Sequence, residues 1–376
     1  TSDILDPKYR RKVGDNMTVQ QRNALVELWN LPHTQNSIVR FADKSPNFTI
    51  DSFQRHEEAI LKEVTNKEAY DEIKDNPIPV ITNAILDFIF EWSGPLTDFH
   101  PHIVDFFFFF DDSDAGKVKV LVKTHKDGNP YRFLTTGCGT PIYPLSKFVQ
   151  FCISHIIPHL SSQVKDTLSM LKLLDQMNSN FAPFPSTAEL VCCDVVSLYP
   201  SVDNQVGVPA VKDLLLKFPQ PDGIPADLIM DALKLCLKHN PLKHEERFFQ
   251  QKNGTAMGPA HACEYVDIAM EPLDQNLVTG CITKNINHGG YTRYRDDGFV
   301  ILFDRDDLTD FQILLDDLHP KIKWEVRNNS TFIEHLDIGI HLSDGKIQTD
   351  IFSKPSNSHI YFPRHSAHPP SVSTGI

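Results

Sequence analysis

The stretch YTRYRDDGFVILF, residues 291–303, sets two adjacent aspartates, Asp296 and Asp297, just ahead of five consecutive apolar residues. Phe299 to Phe303 reads as a buried strand. Side-by-side carboxylates at the mouth of such a strand repel each other and resist desolvation. A divalent cation turns that repulsion into shared coordination. Mg2+ takes a few carboxylates together with waters and phosphate oxygens. A hairpin turn would present both acids while its strands anchor the backbone. An Asp-Asp pair alone does not establish a site: Asp306-Asp307 and Asp316-Asp317 read as helix-start or surface charge. A two-metal site needs a further carboxylate, and Asp194 supplies it at the end of another apolar strand, in VCCDVVSLYPSV. If the two strands share a sheet, Asp194 and Asp296 meet. Two ions about 4 Å apart would then clamp the attacking and leaving oxygens of a phosphoryl transfer.

The rest of the chain has room for such a site. Its 376 residues, 41% of them hydrophobic, suffice for two or three domains. The longest apolar candidate, FVQFCISHIIPHL (148–160), is too short to span a membrane and carries two histidines and a proline. The first residues, TSDILDPKYRRK, lack the apolar core of a signal peptide. Seven cysteines, an odd number without a CxxC pair, read as reduced thiols. The expected location is therefore nuclear or cytoplasmic, with no membrane partner. The net charge of −13 taken alone argues against nucleic-acid binding. Its distribution matters more, although charge alone reads first as solvated surface lysine. Between Lys117 and Arg132 five basic residues face one acid, Asp127, and a second basic island holds Lys346, Lys354 and Arg364. Basic islands in an acidic chain suit an anionic ligand held in one cleft. His359, His365 and His368 are poorly spaced for zinc.

Periodicity predicts helices over 17–30 (with Thr18 as N-cap), 51–75 and 80–92. A strand through the phenylalanine run Phe106 to Phe110 follows, then two more strands around a turn at Asp127-Gly128-Asn129-Pro130. The phenylalanines read as packing. Helices are expected over 145–160, 164–177, 208–218 and 226–239, with the strand ELVCCDVV between the second and third and a hairpin-like stretch up to Asn253. The turn NGTAMGP leads into a helix with Pro259 in its first turn. Its Ala262, Tyr265, Val266, Ala269, Met270 and Leu273 keep i, i+3, i+4 spacing. After the Asp-Asp hairpin come a helix over 308–318 and strands in IKWEV, EHLDIGIHL and KIQTDIF. The class is α+β, an antiparallel sheet with packed helices.

Asp194-x4-Tyr199, the glycine-led helix and the Tyr294-Arg295-Asp296-Asp297 hairpin occur in the order of palm motifs A, B and C. This resembles the reverse transcriptases, and within them the Penelope-like element group, relatives of telomerase reverse transcriptase. The resemblance runs from about residue 20 to 370 through IVRFADKSPNFTI, VKTHKDGNPYRF, TPIYPLSKF, CDVVSLYPSV, QKNGTAMGPAHA, HLDIGI and FSKPSNSHIYFPRHSAHPP. It departs at Phe41, at Phe133 after Arg132, and at Gly258-Pro259-Ala260, where the group has proline, proline and G-S-P. The group's helical thumb and GIY-YIG endonuclease are not visible in the sequence.

The resemblance implies a right-hand polymerase with its thumb absent or vestigial. Residues 1–80 would form an N-terminal helical extension with fingers, 81–185 fingers, 186–345 the palm with part of the fingers, and 346–376 the palm end. The implied activity is RNA-directed DNA polymerisation from dNTPs onto a DNA primer along an RNA template. Asp194, Asp296 and Asp297, with the Val195 carbonyl, would bind two Mg2+, for which Mn2+ can substitute. Tyr199 would exclude a ribose 2′-OH. Arg132 with Lys123 and Lys126 would hold the triphosphate. Gln251, Gly254 and Gly258 would line the nucleotide. Lys323, with Lys321 as the other candidate, would protonate pyrophosphate, and Lys354 would touch nucleic acid. The rival readings are an RNA-directed RNA polymerase and an inactive, domesticated relative that binds nucleic acid.

Overall fold

The structure is a computed structural model that describes residues 19–44, 48–108, 113–124, 126–220 and 222–353. Met17 and Thr18, part of the phenylalanine run, Lys354 and the histidines after it lie outside the described residues. The chain begins with α1 (Val19–Gln35), β1 (Ser37–Phe41), β2 (Phe48–Ser52), α2 (Phe53–Val64), β3 (Tyr70–Ile73), α3 (Ile78–Glu91), α4 (Ser93–Phe99) and α5 (Ile103–Phe107). It continues through β4 (Gly116–Val122), β5 (Tyr131–Thr135), α6 (Tyr143–Ser154), α7 (Thr167–Phe181), β6 (Glu189–Val195), α8 (Leu198–Ser201), α9 (Asn204–Lys217) and α10 (Ala226–Lys238). Then come β7 (Pro241–His244), β8 (Arg247–Gln251), α11 (Ala262–Thr283), β9 (Thr292–Tyr294), β10 (Asp297–Leu302), α12 (Leu308–Asp317), β11 (Trp324–Asn329), β12 (Phe332–His335), β13 (Ile338–Ser343) and β14 (Lys346–Ile351).

Two compact units interleave along the sequence. The first takes residues 1–59, 120–132 and 354–376, and the second takes 60–119 and 133–353. In the first, β1 and β2 pair antiparallel from Ser37↔Ser52 to Phe41↔Phe48. The Phe41 and Phe48 rings stack with centroids 4.4 Å apart.

In the second unit the sheet that matters runs β11-β6-β10-β9, antiparallel throughout. Its central strands are buried on both faces, which is why their apolar runs do not alternate with polar residues. Leu190, Cys192, Phe299 and Ile301 pack with Met170 and Leu174 of α7 and with Ile333 and Ile338 of the sheet β12-β13-β14. On the other face Val191, Cys193, Val300 and Leu302 pack with Leu277 of α11 and Phe311 of α12. Period-2 alternation thus sends neighbouring residues of one strand into different cores. A helical core around α6, α9, α10 and α11 adjoins them. Another sheet has the order β3-β8-β7-β4-β5. The architecture is α+β, with mixed and antiparallel sheets.

Several expectations are corrected. Residues 51–75 are not one helix: β2, α2 and β3 divide them. Thr65 to Ala69 breaks the helix, and Tyr70 goes into a sheet with β8, where pairing to a distant strand overrides local propensity. The phenylalanine run does not begin as a strand, because Phe106 and Phe107 belong to α5, with Phe107 buried against Phe88 and Phe148. Pro259 precedes α11 rather than starting it; His261 is the N-cap, and Pro272 lies inside the helix. Helix α1 runs on to Gln35, beyond the expected end at Asn30. Among the described residues no helix is long and apolar enough to cross a membrane, and the cysteines are unpaired.

His261 ties α11 to α6 through Ser146, whose Oγ lies 2.9 Å from its Nδ1. Burial pushes this imidazole down to about 4, and burial together with Arg327 does the same to His335 behind Cys192. Both groups are neutral when folded and bind protons more readily when unfolded. Stability is therefore whole above the ordinary histidine value of 6.5 and drains away as pH falls towards about 4. Urea midpoints measured across that window should drop with pH, and His335→Gln should flatten the slope.

Candidate active site

The strands β9 and β10 turn over through two residues, Arg295 and Asp296, with Tyr294 paired to Asp297. A two-residue hairpin needs a positive φ at its first loop position, and Arg295 has φ 57°. A non-glycine residue there costs about 1–2 kcal/mol. The Arg295 side chain offsets that cost by reaching back to α11. Its Nη1 donates to the Cys263 carbonyl at 2.8 Å and pairs with the Asp267 carboxylate.

Arg293 lies beneath the loop and is fully buried. Its Nε and Nη2 donate to the Asp274 carboxylate at 2.8–3.1 Å. Its Nη1 donates to the Arg295 carbonyl at 2.8 Å, and its Nη2 to the Asp267 carbonyl at 3.2 Å. Charge-assisted bonds of this kind are the strong ones. The buried guanidinium thus joins the loop carrying Asp296 to one face of α11. The apolar stripe of that helix does not by itself show this role. Asp267, Glu271 and Asp274 repeat at i, i+4, i+7 on the same helix, a signal that could have shown a buried cationic partner.

Asp194 and Asp297 stand directly opposite each other in the β6–β10 register. The Val195 amide donates to the Asp296 carbonyl at 2.9 Å, so the ends of the two distant segments are joined at the loop. On the other side of β6, Glu325 of β11 is paired with Asp194. Directly paired residues share a sheet face. Glu325, Asp194 and Asp297 therefore form an acidic row across three strands, with Glu325 exposed and the two aspartates partly so. Glu325 was missed because nothing local to IKWEV reveals its register. Among the described residues no group of three or more His, Cys, Asp or Glu side chains forms a ready-made metal cage. Two or three carboxylates with a nearby strand-end carbonyl do suit Mg2+, whose shell is completed by water and phosphate.

Tyr199 of α8 is half-buried, and its hydroxyl lies 3.2 Å from the Cys263 Sγ. Burial raises its pKa first, and the contact with Cys263 adds to it. The glycine turn packs on the same segment: Thr255 N–H donates to the Tyr199 carbonyl at 3.0 Å. Gly254 has φ 61°, and a Cβ there would collide with the Tyr199 carbonyl oxygen. A Cβ on Gly258 would collide with the Thr135 carbonyl oxygen. The close approach both glycines permit is thus to the protein's own backbone. Gln251 Nε2 donates to the Asn253 carbonyl at 2.6 Å. Lys321 is paired with Asp203, its Nζ 3.0 Å away, whereas Lys323 is exposed and its carbonyl accepts from Val196 N–H at 2.9 Å.

All of these residues belong to the second unit. Lys123, Lys126 and Arg132 belong to the first. There Arg132 Nε lies 2.8 Å from Asp43 Oδ1. Burial lowers the Lys123 pKa, with Arg132 and Lys126 adding to the effect.

No protein-family model matches the chain, and no curated protein sequence does. Solved structures do resemble it. Apo telomerase from Candida tropicalis, truncated from its C-terminal domain, superposes with a TM-score of 0.56 at 11% identity, covering 88% of this chain and 69% of that one. Telomerase from Candida albicans in complex with a TWJ fragment of telomeric RNA gives 0.58 at 9% identity, over 92% of this chain and 58% of that one. The Candida tropicalis complex with the same kind of fragment gives 0.56 at 11%, over 94% and 58%. The chain thus spans a little over half the length of these two RNA-bound telomerases. At such identities the likeness is one of fold.

Removing the Arg293 guanidinium leaves Asp274 buried and uncompensated. Arg293→Met should cost about 3–5 kcal/mol of unfolding free energy. Chemical denaturation should also show the Arg293→Met/Asp274→Leu double variant regaining part of it.

Proposed function

We propose that this chain is an RNA-directed DNA polymerase of the Penelope-like retroelement type, acting inside the cell on an RNA template, a DNA primer and dNTPs. The observation that carries this reading is the register that sets Asp297 opposite Asp194, with Asp296 joined to Val195. The sheet β11-β6-β10-β9 with α11 and α12 would be the palm. The hairpin from Lys117 to Arg132 would belong to the fingers.

Asp194, Asp296, Asp297 and the Val195 carbonyl would hold two Mg2+, which supply charge neutralisation to the attacking 3′ oxygen and the departing pyrophosphate. The fit rests on the acidic row. Like charges paired across strands are destabilising by themselves, and a resident cation would remove the penalty. The chain's own residues do the rest. The Tyr199 ring, braced by Cys263, closes the space a ribose 2′-OH would need. Arg132, Lys123 and Lys126 bind the triphosphate as fork and point charges. The loop from Gln251 to Gly258, held against Tyr199, lines the nucleotide and templating base. Lys323 is the proton donor to pyrophosphate, since Lys321 is engaged by Asp203.

Primer extension on RNA and DNA templates tests the reading. Asp296→Asn should lower extension by about a hundredfold to a thousandfold, the scale for losing a key electrostatic group, with the thermal midpoint kept. Full activity in that variant would refute the site. Tyr199→Ala should admit rNTPs beside dNTPs. Incorporation of rNTPs by the unsubstituted chain would favour an RNA polymerase. Binding of RNA–DNA duplex without any extension would favour an inactive relative.

A further inference from the structure

In the first unit, residues 42–44 lie against the chain around Val122 and Arg132. The Asp43 amide donates to the Val122 carbonyl at 2.9 Å. The Asp43 side chain is 5% exposed, its Oδ1 is 2.8 Å from Arg132 Nε, and its Oδ2 has no hydrogen-bond partner among the described residues. A buried ion pair with one oxygen unsatisfied is a poor source of stability, because desolvation cancels most of the attraction. It does constrain orientation. The closest approach is through Nε, which like Asp43 Oδ2 has no aligned hydrogen-bond partner among the described residues. The pair therefore holds the guanidinium by charge, and its Nη groups are the fork that grips phosphate oxygens.

The turn that follows is preorganised. Lys123 N–H donates to the Pro130 carbonyl at 2.8 Å, and Arg55 Nη2 donates to the carbonyls of Gly128 and Asn129 at 3.3 and 3.0 Å. Gly128 and Asn129 have φ of 74° and 46°. Asp51 is occupied by the Tyr131 hydroxyl and Arg55, and Asp127 is exposed on the turn. Burial lowers the Lys123 pKa first; Arg132, Lys126 and Lys44 add to that and Asp43 opposes it. Arg132 is paired with the buried Asp43 carboxylate, Lys44 follows Asp43 in the chain, and Lys123 and Lys126 flank the same turn. Like charges of this number repel until an anion of several charges arrives.

We propose that Asp43 and Lys44 belong to a triphosphate-binding site in this unit. Asp43 is the positioning residue that sets the Arg132 fork, and Lys44 is a further cation beside Lys123 and Lys126. The identification of the ligand as a nucleoside triphosphate rests on the polymerase reading; the anion site rests on the geometry.

The test is calorimetric titration of the full chain with inorganic triphosphate, without primer or template, alongside thermal midpoints and a primer-extension assay. Asp43→Asn removes a negative charge, so simple electrostatics predicts tighter anion binding. Positioning predicts the reverse, a loss of about tenfold, the scale of one charge-assisted contact. Exposed Lys44→Gln, which leaves the fold alone, should weaken binding about twofold to fivefold. Equal or tighter binding by Asp43→Asn, or unchanged binding by Lys44→Gln, overturns the assignment. An unsubstituted chain that extends primers yet binds no triphosphate here overturns this site and leaves the polymerase reading standing. Triphosphate binding with these sensitivities and no extension supports the site and sinks the polymerase reading. An oligonucleotide that binds here in place of triphosphate overturns the ligand assignment.

Discussion

A guanidinium with no access to water ties α11 to the hairpin loop in the second unit. Arg293 bonds Asp274 on α11 and the Arg295 carbonyl in the hairpin loop, so one side chain spans from that helix to the loop that carries Asp296. Burying such a charge is costly unless every donor finds an acceptor. Asp267 and Asp274 meet that demand, and the network then fixes the loop with little freedom. Arg295 reaches the same helix from above, which lets a residue with φ 57° persist where glycine or asparagine would be expected. Strain and buried charge are thus concentrated under the place where the proposed chemistry lies.

The acidic row follows from that arrangement. With the loop pinned, β10 has one register against β6, and Asp297 must face Asp194. Slipping by one residue would turn Phe299 and Ile301 out of one core and Val300 and Leu302 out of the other. The hydrophobic cores on the two faces therefore hold carboxylates near one another against their repulsion.

Much of the architecture is legible in the sequence. The strands around Asp194 and Asp296, the paired strands around residues 127–130 and most helices fall where periodicity places them. The failures share a cause. Tyr70 to Ile73 is a strand because β8 pairs with it, and the start of the phenylalanine run is helical because Phe107 fits between Phe88 and Phe148. Local propensity is weak against such distant partners. The glycines of the NGTAMGP turn were read as making room for a ligand, and they make room first for the carbonyls of Tyr199 and Thr135.

What the sequence determined by itself was the set of chemical groups and their local setting: acids at strand ends, a tyrosine four residues beyond one of them, cations around a tight turn. These are short-range facts, and periods of two and 3.6 residues carry them. Which groups meet was decided only in three dimensions. The pairing of Glu325 with Asp194, of Arg293 with Asp274 and of Arg132 with Asp43 joins residues far apart in the chain. Such contacts depend on strand register and on the burial of charge, and both are settled by the packing of whole layers and not by any single stretch of residues.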